Sequence, residues 1–309
     1  MKKISKQQAE LIVAASNEGL THFPPAALEK DILLTEILHV LKTNNYYESQ
    51  LLQTVFGGGT SLIKGFSIIS RMSEDLDFKI IGQSRNPEEI TRPELGRLRD
   101  SIQNALEQNG YLIKDTNTRD SRRYFKFILE YESAFEPIVS LRSNIQLEFT
   151  CSKVSLDPQL RKIATLLYRD SKLDDPFDFE FLCVHPTQTA AEKLVGLLRK
   201  FDEIQSGEND RLIRHVYDLH KLKQFGIDKE NFTNAVLRAV EEDDARYKFS
   251  YPEDLKKDPV TFLNNSLVAL LLIPNLNRIY ESFVTELISG EQITLEAAKM
   301  SLKELVENL

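Results

Sequence analysis

The sequence has few cysteines and no long apolar run. Only Cys151 and Cys183 occur among its 309 residues, which excludes a disulfide framework, and neither has a Cys or His partner at zinc-binding spacing. The longest apolar stretch, near Leu267–Pro274, is far too short to cross a bilayer. With only two cysteines we expect a protein of the reducing cytoplasm, and no apolar signal core follows the basic N-terminus.

Basic residues are also in the minority. The 39 Lys and Arg residues are outnumbered by 47 Asp and Glu residues, which gives a formal net charge of -8. This balance excludes a general nucleic-acid coat, so any nucleic acid must be contacted by a local basic face. The candidates for such a face are Arg119, Arg122, Arg123, Tyr124, Phe125, Lys126, Arg199 and Lys200. An ordinary solvated hairpin is the alternative for the first six.

Hydrophobic periodicity divides the chain into three parts. The first part is helical, and its second helix is expected to pack one face on the fold. The middle part mixes strands and helices, and the part after Pro186 is helical. The predicted helices are Ile4–Ala15, Leu28–Leu41, Ser61–Ile69, Pro87–Asn109, Thr187–Phe201, Asn209–Phe225, Lys229–Glu241, Pro259–Leu272, Leu276–Ser289 and Leu295–Leu309. The predicted strands are Asp75–Ile81, Tyr111–Lys114, Tyr124–Tyr131 and Ile138–Cys151.

These elements predict an α+β fold. A chain of 309 residues corresponds to about two domains. We expect a mixed domain with N-terminal helices over residues 1–185 and a helical domain over residues 186–309. The charge-rich segments Glu241–Asp244 and Lys256–Asp258 are expected to be solvated connections.

The middle part contains a pair of carboxylates on a predicted strand. Asp75 and Asp77 are two residues apart, so both side chains leave the same face of that strand. Apolar neighbours such as Leu76 and Phe78 indicate partial burial, where two carboxylates repel one another. A divalent cation resolves that conflict, and Mg²⁺ is commonly held by one or two carboxylates plus substrate phosphates. Two such ions can clamp the attacking and leaving oxygens of an in-line phosphoryl displacement.

A glycine turn precedes the acidic pair. Gly57, Gly58 and Gly59 let the backbone adopt positive φ and approach a ligand closely, and their N–H groups can form an anion-binding concavity before a short helix. The turn is not a P-loop, because Phe66 follows Gly65 where that motif needs Lys. Alone, each motif is more often a plain turn or a solvated strand end. Together, in this order, they indicate a site for phosphate and metal.

A third carboxylate is expected from a neighbouring strand, and Glu148 is the candidate. It stands in a largely apolar strand, where an unpaired charge is costly. Glu148 shares one face with Asn144 and Gln146, so a polar outer face is the alternative explanation.

These segments resemble the nucleotidyltransferase toxins of the AbiEii/AbiGii family, a branch of the DNA polymerase β-like nucleotidyltransferase superfamily. The resemblance covers most of the chain. The segments that carry it are Glu29–Asp31, Gly57–Leu62, Arg71–Asp77, Glu192–Leu194 with Arg199, and Arg214–Leu219. One departure is His215, where some members carry an acidic residue.

The resemblance implies a nucleotidyltransferase-fold mixed sheet and transfer of a nucleoside monophosphate from an NTP, with release of pyrophosphate. The acceptor it implies is RNA, a tRNA 3′ end in the better understood relatives. Such modification stops growth, so the resemblance also implies a toxin of a toxin–antitoxin or phage-defence system, paired with an antitoxin protein. Two alternatives stay open: nucleotidylation of a protein or small-molecule hydroxyl, and a nucleotide-binding module without turnover.

The resemblance also implies roles for single residues. Asp75 and Asp77 would hold Mg²⁺, and Glu148 would complete the site. Lys193 would neutralise the triphosphate, and Asp218 would orient Lys193 or the acceptor. The phosphates would be held by groups at Gly58, Gly59, Thr60, Ser61 and Arg71.

Three of these roles have ordinary alternatives. Lys193 could be a surface lysine, and Asp218 could cap its helix or pair with Arg214. Arg71 could pair with Glu74. His215 and Tyr217 are expected to pack or to edge the substrate, and His185 to be structural.

Overall fold

The computed structural model describes residues 1–44, 52–82, 86–138, 141–247, 251–288 and 290–309. Within these ranges the chain forms two compact units. The first unit comprises Met1–Ser67, Met72–Val154 and Pro158–Val184. The second comprises Ile68–Arg71, Ser155–Asp157 and His185–Leu309. The second unit therefore takes two short segments from the earlier part of the chain.

The first unit contains a seven-stranded mixed sheet and several helices. Its strands are β1 (Leu52–Gly57), β2 (Asp75–Gly82), β3 (Leu112–Arg119), β4 (Tyr124–Glu130), β5 (Asn144–Cys151), β6 (Gln159–Lys162) and β7 (Glu180–Cys183). Its α-helices are α1 (Lys6–Asn17), α2 (Pro25–Thr43), α3 (Gly58–Lys64), α4 (Arg92–Gln108) and α5 (Leu166–Ser171). The predicted α+β class is confirmed by this mixture.

The sheet order places the acidic strand at the centre. The order is β3-β4-β5-β2-β1-β7-β6, with β2 antiparallel to β1 and parallel to β5. In this register Asp77 lies opposite Gly57 on one side and opposite Glu148 on the other. The glycine turn and all three predicted metal carboxylates therefore lie on adjacent strands.

Alternating burial fixes which side of the sheet carries the carboxylates. Along β2 and β5, buried apolar residues alternate with partly exposed ones. The rings of Phe78 and Phe149 stack at 4.7 Å, and Phe149 stacks on Phe125 at 4.8 Å. Fully burying such a side chain contributes roughly 1.5–3 kcal/mol. A slip of one residue would move this apolar set to the solvent face, so the packing also fixes the register of Asp75 and Asp77.

Helix α2 is buried more completely than its sequence pattern predicts. The expectation of one packed face is too narrow, because both the apolar residues and the charged Glu29, Lys30 and Asp31 are buried. Lys64 pairs with Asp31 at 2.6 Å, and Lys30 pairs with Glu74 at 2.8 Å. Internal ion pairs thus satisfy the charges of Lys30 and Asp31, and hydrogen bonds from the Ser133 hydroxyl and the Ala134 N–H satisfy that of Glu29.

The first unit differs from the prediction in some of its elements and in several boundaries. The sequence does not predict strands β1, β6 and β7 or helix α5. The segment expected as one helix from Pro87 contains a short 3-10 turn, and α4 begins only at Arg92. Thr91 causes this break, because its side chain accepts from the Glu94 N–H and caps the new helix. Strand β5 begins at Asn144; part of the strand predicted from Ile138 lies outside the described residues.

The second unit is helical. Its α-helices are α6 (Pro186–Arg199), α7 (Phe201–Gln205), α8 (Arg214–Phe225), α9 (Lys229–Tyr247), α10 (Glu253–Lys257), α11 (Pro259–Leu271), α12 (Leu276–Leu287) and α13 (Leu295–Glu307). The prediction that two charge-rich segments are connections is wrong. Glu241–Asp244 lies inside α9, and Lys256 and Lys257 are the last two residues of α10. The position expected to end the helix at Ser289 lies outside the described residues.

No single helix among the described residues is both long and apolar enough to cross a bilayer. Only α11 and α12 taken together, with an 83° bend between them, reach that length and composition.

Candidate active site

The acidic pair lies beside the glycine turn in the first unit. Strand β1 ends at Gly57, and α3 begins at Gly58, whose φ is +68°. A Cβ atom added to Gly58 would lie 2.0 Å from Asp77 Oδ2. Only glycine leaves space for that carboxylate while adopting this backbone conformation at little cost. The structure therefore brings Asp77 directly against the turn.

The two side-chain hydroxyl groups of α3 form hydrogen bonds with other groups of the protein. Thr60 donates to the backbone carbonyl of Asp75, and its hydroxyl lies 3.0 Å from that of Ser73. The Ser61 hydroxyl donates to the Gly58 carbonyl at 3.0 Å. Both hydroxyl residues are fully buried. The Thr60 bond to Asp75 fixes α3 to the start of β2, whereas the Ser61 bond lies within α3. The role of Thr60 and Ser61 toward phosphate stays a prediction.

The predicted metal carboxylates Asp75 and Glu148 each pair with a cationic side chain. The Arg142 guanidinium pairs with Asp75 Oδ1. Lys126 Nζ lies 2.9 Å from Glu148 Oε1 and 2.6 Å from Gln146 Oε1. Lys126 is directly opposite Glu148 in the sheet, which explains the pairing. Lys126 was predicted as part of a basic face, and in the structure it pairs with Glu148 of β5.

The residues present suit a hard divalent cation by their chemistry. Asp75, Asp77 and Glu148 offer only oxygen donors, and the space that Gly58 leaves accommodates the Asp77 carboxylate. Among the described residues, no group of three His, Cys, Asp or Glu side chains is already gathered for a metal. The assignment of all three carboxylates as metal ligands thus stays a prediction.

A buried ion pair between Lys30 and Glu74 lies next to Asp75, because Glu74 immediately precedes it in the chain. Glu74 Oε2 accepts from Lys30 Nζ and from the Arg142 backbone N–H, each at 2.8 Å. Burial alone would raise the pKa of Glu74, but the charge and hydrogen bond of Lys30 outweigh it and lower that pKa. The sequence signal for this pair is the charged run Glu29–Asp31 inside an apolar helix.

The second unit holds a cluster built around Asp218. Lys193 Nζ of α6 lies 2.8 Å from Asp218 Oδ2, and Arg71 Nε lies 2.7 Å from Asp218 Oδ1. Burial alone would raise the pKa of Asp218, but Arg71 and Lys193 outweigh it and hold that pKa well below its usual range. Lys193 is only 8% exposed, so the alternative of a surface lysine is wrong. The expected neighbourhood of Lys193 and Asp218 is present, and Arg71 belongs to it.

The other residues flanking this cluster have structural roles. His215 Nδ1 lies 3.3 Å from the Lys193 carbonyl. Burial, reinforced by the charge of Lys193, lowers the pKa of His215 to about 3, so its ring is neutral at neutral pH. The Tyr217 hydroxyl accepts from the Ser70 N–H at 3.2 Å. His185 caps α6 by accepting from the Thr187 N–H at 3.2 Å, as expected for a structural residue.

The basic face proposed for the β3–β4 hairpin is smaller than predicted. Phe125 is 1% exposed, so its ring is part of the core and cannot stack on a base. Arg123 donates to the Pro87 carbonyl at 2.6 Å. Arg119 Cζ lies 6.0 Å from the ring centroid of Tyr124. Arg119 and Tyr124 are therefore the part of this face that keeps the predicted combination of a cation with an aromatic ring.

Comparison with known proteins agrees with this geometry. The structure has an acidic pair on the central strand of a mixed sheet, beside a glycine turn, and this is the arrangement expected of a nucleotidyltransferase. The model of the family described as "Nucleotidyl transferase AbiEii toxin, Type IV TA system" matches residues 41–300. The chain belongs to this family of nucleotidyltransferase toxins.

A solved structure has a similar fold. It is that of MenT4, a nucleotidyltransferase toxin from Mycobacterium tuberculosis H37Rv, with a TM-score of 0.55 and 17% sequence identity. The similarity covers 97% of this chain and 98% of that one. At this identity the likeness concerns the fold. No curated protein matches the sequence.

Proposed function

We propose that this toxin transfers a nucleoside monophosphate from an NTP to RNA, with a tRNA 3′ end as the acceptor, by Mg²⁺-dependent in-line displacement. The observation that carries the proposal is the contact between Asp77 and Gly58, which joins the predicted metal carboxylates to the predicted phosphate cradle. In the reaction, an acceptor hydroxyl oxygen attacks the α-phosphorus, and the bond to the β-phosphate oxygen breaks. Pyrophosphate is the leaving group.

The residues of the first unit position the nucleotide. Asp75 and Asp77, with Glu148 on the next strand, would hold Mg²⁺, which when bound neutralises phosphate charge and aligns the reacting oxygens. The backbone at Gly58 and Gly59 would approach the β,γ-phosphates closely. Thr60 keeps this backbone in place through its bond to the Asp75 carbonyl.

In the second unit, Lys193 is the proposed triphosphate-neutralising residue. Lysine is a common phosphate ligand because its ammonium is a compact point charge. The Asp218 carboxylate holds the Lys193 ammonium at 2.8 Å and so restricts its rotamers. Arg71 holds the other side of Asp218, so we assign Arg71 first to the orientation of this cluster and only secondarily to the leaving phosphates.

Membership of a type IV toxin–antitoxin family implies an antitoxin encoded with the toxin. We propose that both act in the cytoplasm, where NTPs and tRNA are present. Phage defence is the proposed setting of such a system.

The decisive experiment uses Mg²⁺, each of the four NTPs labelled at the α-phosphate, and total RNA. Label on tRNA supports the proposal. Label on protein or on a small molecule supports the alternative of nucleotidylation of another hydroxyl, and nucleotide binding without transfer supports a binding module. Asp77→Asn is the matched control, because it removes one metal-binding charge and keeps the shape of the side chain. Transfer that persists in this variant would falsify the metal assignment.

A further inference from the structure

Arg142 lies on the predicted metal carboxylate Asp75 and was not expected there. Its guanidinium pairs with Asp75 Oδ1. The side chain of Arg142 is 28% exposed and that of Asp75 is 35% exposed. The pair is therefore open to solvent on one side, and a ligand can reach it from there.

Two buried side chains form hydrogen bonds with the main chain of Arg142 and fix its position. Glu74 Oε2 accepts from the Arg142 N–H, and Lys30 Nζ donates to the Arg142 carbonyl, each at 2.8 Å. Lys30 and Glu74 also bind each other at 2.8 Å and are almost completely buried. This arrangement, the Lys30–Glu74 clamp, holds Arg142 by both of its backbone groups. The position from which the guanidinium reaches Asp75 is therefore set by the core.

A guanidinium and a divalent cation are competitors at the same carboxylate. Both are positive, so they repel each other when bound to one Asp, and the protein interior screens that repulsion less than water does. A free metal ion that binds Asp75 Oδ1 displaces the Arg142 guanidinium from the carboxylate with which it pairs. A metal–NTP complex brings phosphate oxygens with it, and the planar guanidinium binds phosphate well through two parallel hydrogen bonds.

We propose that Arg142 is a resident counter-ion of the metal site, which occupies Asp75 until a metal–nucleotide complex replaces Asp75 with phosphate as its partner. Arg142 is then a nucleotide-binding residue, and the site selects the metal–NTP complex over free metal. Lys30 and Glu74 are positioning residues for it. The inference rests on the proposed function, since it needs Asp75 as a metal ligand.

The test measures metal binding rather than turnover. Mn²⁺ is titrated into the full-length protein and followed by the electron paramagnetic resonance signal of the free ion, with and without an NTP whose α,β-bridging oxygen is replaced by methylene. In Arg142→Gln we expect at least tenfold tighter binding of Mn²⁺ alone and at least tenfold weaker binding of the Mn²⁺–nucleotide complex. Arg142→Lys keeps the positive charge and should leave the binding of Mn²⁺ alone weak.

Two further variants locate the effect. Lys114→Gln removes a cation from the exposed Lys114–Glu130 pair and so changes the net charge equally, but should leave both affinities unchanged. Asp75→Asn combined with Arg142→Gln should abolish the gain for Mn²⁺ alone, because the freed ligand is then absent. The thermal unfolding midpoint of each variant confirms that it is folded.

Unchanged or weaker binding of Mn²⁺ alone in Arg142→Gln overturns the inference. Its failure is distinguishable from failure of the proposed function. RNA labelling by the wild type together with unchanged Mn²⁺ affinity in Arg142→Gln rejects only the inference. Tighter Mn²⁺ binding in that variant, without RNA labelling by the wild type, retains the inference and rejects only the RNA acceptor.

Discussion

Arg71 and Asp218 form a two-point ion pair in the second unit, with Nε–Oδ1 and Nη2–Oδ2 distances of 2.7 Å each. The planar fork of Arg matches the carboxylate, and Lys193 binds the same group from another direction. Both partners of the pair are buried. Arg71 lies four positions before Asp75 in the sequence.

Removal of Arg71 is predicted to destabilise the protein. Arg71→Gln leaves the buried Asp218 with Lys193 alone, and breaking a buried pair costs about 3 kcal/mol of unfolding free energy. Arg71→Lys should cost less, because it keeps the charge and loses only the fork. Urea unfolding measures both. The control is Arg99→Gln, which removes an exposed pair with Asp100 and should cost less than about 1 kcal/mol. Equal effects of Arg71→Gln and Arg99→Gln would contradict the prediction.

Gly58→Ala is predicted to reduce nucleotidyl transfer at least about 100-fold, because a displacement of about 1 Å in a reacting group has an effect of that order. The new Cβ atom would lie 2.0 Å from Asp77 Oδ2, so the carboxylate must move. Gly19→Ala is the matched control, since Gly19 has a similar φ of +67° and, apart from its chain neighbours, no residue lies within 4 Å of the added Cβ. Both variants should lose stability by about 1 kcal/mol or more from the strained backbone. Equal activity in the two variants would show that contact with Asp77 is irrelevant.

Stability is predicted to depend on pH through His215. Its pKa in the folded protein is lowered from 6.5 to about 3, chiefly by burial. Between these values the unfolded chain binds a proton that the folded chain does not, so the unfolding free energy falls as the pH falls. The slope attributable to one such group is at most about 1.4 kcal/mol per pH unit. Lys193 and Arg71 oppose protonation, while Asp218 favours it.

The measurement for His215 is urea unfolding at several pH values between 7 and 4. His215→Gln should lose less stability on acidification than the wild type does. His22→Gln, a change at an exposed histidine, should follow the wild type. If His215→Gln and the wild type have parallel pH dependences, the ring is not held neutral by its surroundings.

The Lys30–Glu74 clamp is predicted to show strong energetic coupling. Lys30→Met or Glu74→Leu alone leaves an unpaired group in the core and should cost about 3–5 kcal/mol. The double variant Lys30→Met/Glu74→Leu removes both charges and should be more stable than the sum of the single effects predicts. A double-mutant cycle by chemical denaturation gives the coupling energy. Additive effects would mean that the two side chains do not depend on each other.

Strand periodicity predicted the acidic strand well, because a half-buried strand shows its two faces in the sequence. Asp75 and Asp77 alternate with Leu76 and Phe78, and the structure shows the same alternation. Strands β6 and β7 are four residues each and too short to show a period. They are held by pairing with neighbours that are distant in sequence, and the sequence carries no local signal for that.

The sequence predicts those site residues that occur at a fixed spacing in a motif. It does not predict those whose positions depend on contacts between distant parts of the chain. The acidic pair has such a spacing. Arg142 precedes β5 and matches no motif, and its place follows from hydrogen bonds to Lys30 and Glu74, which come from different elements. The pairing of Arg71 with Asp218 likewise joins residues that only the folded chain brings together.

The parallel pairing of β2 with β5 has a consequence for biosynthesis. Asp77 and Glu148 are direct neighbours in the sheet, yet α4, β3 and β4 lie between them in the chain. Parallel strands cannot be joined by a tight hairpin, so this pairing forms only after the intervening segment has left the ribosome. The acidic face therefore stays incomplete until synthesis has passed Glu148, close to the middle of the 309-residue chain.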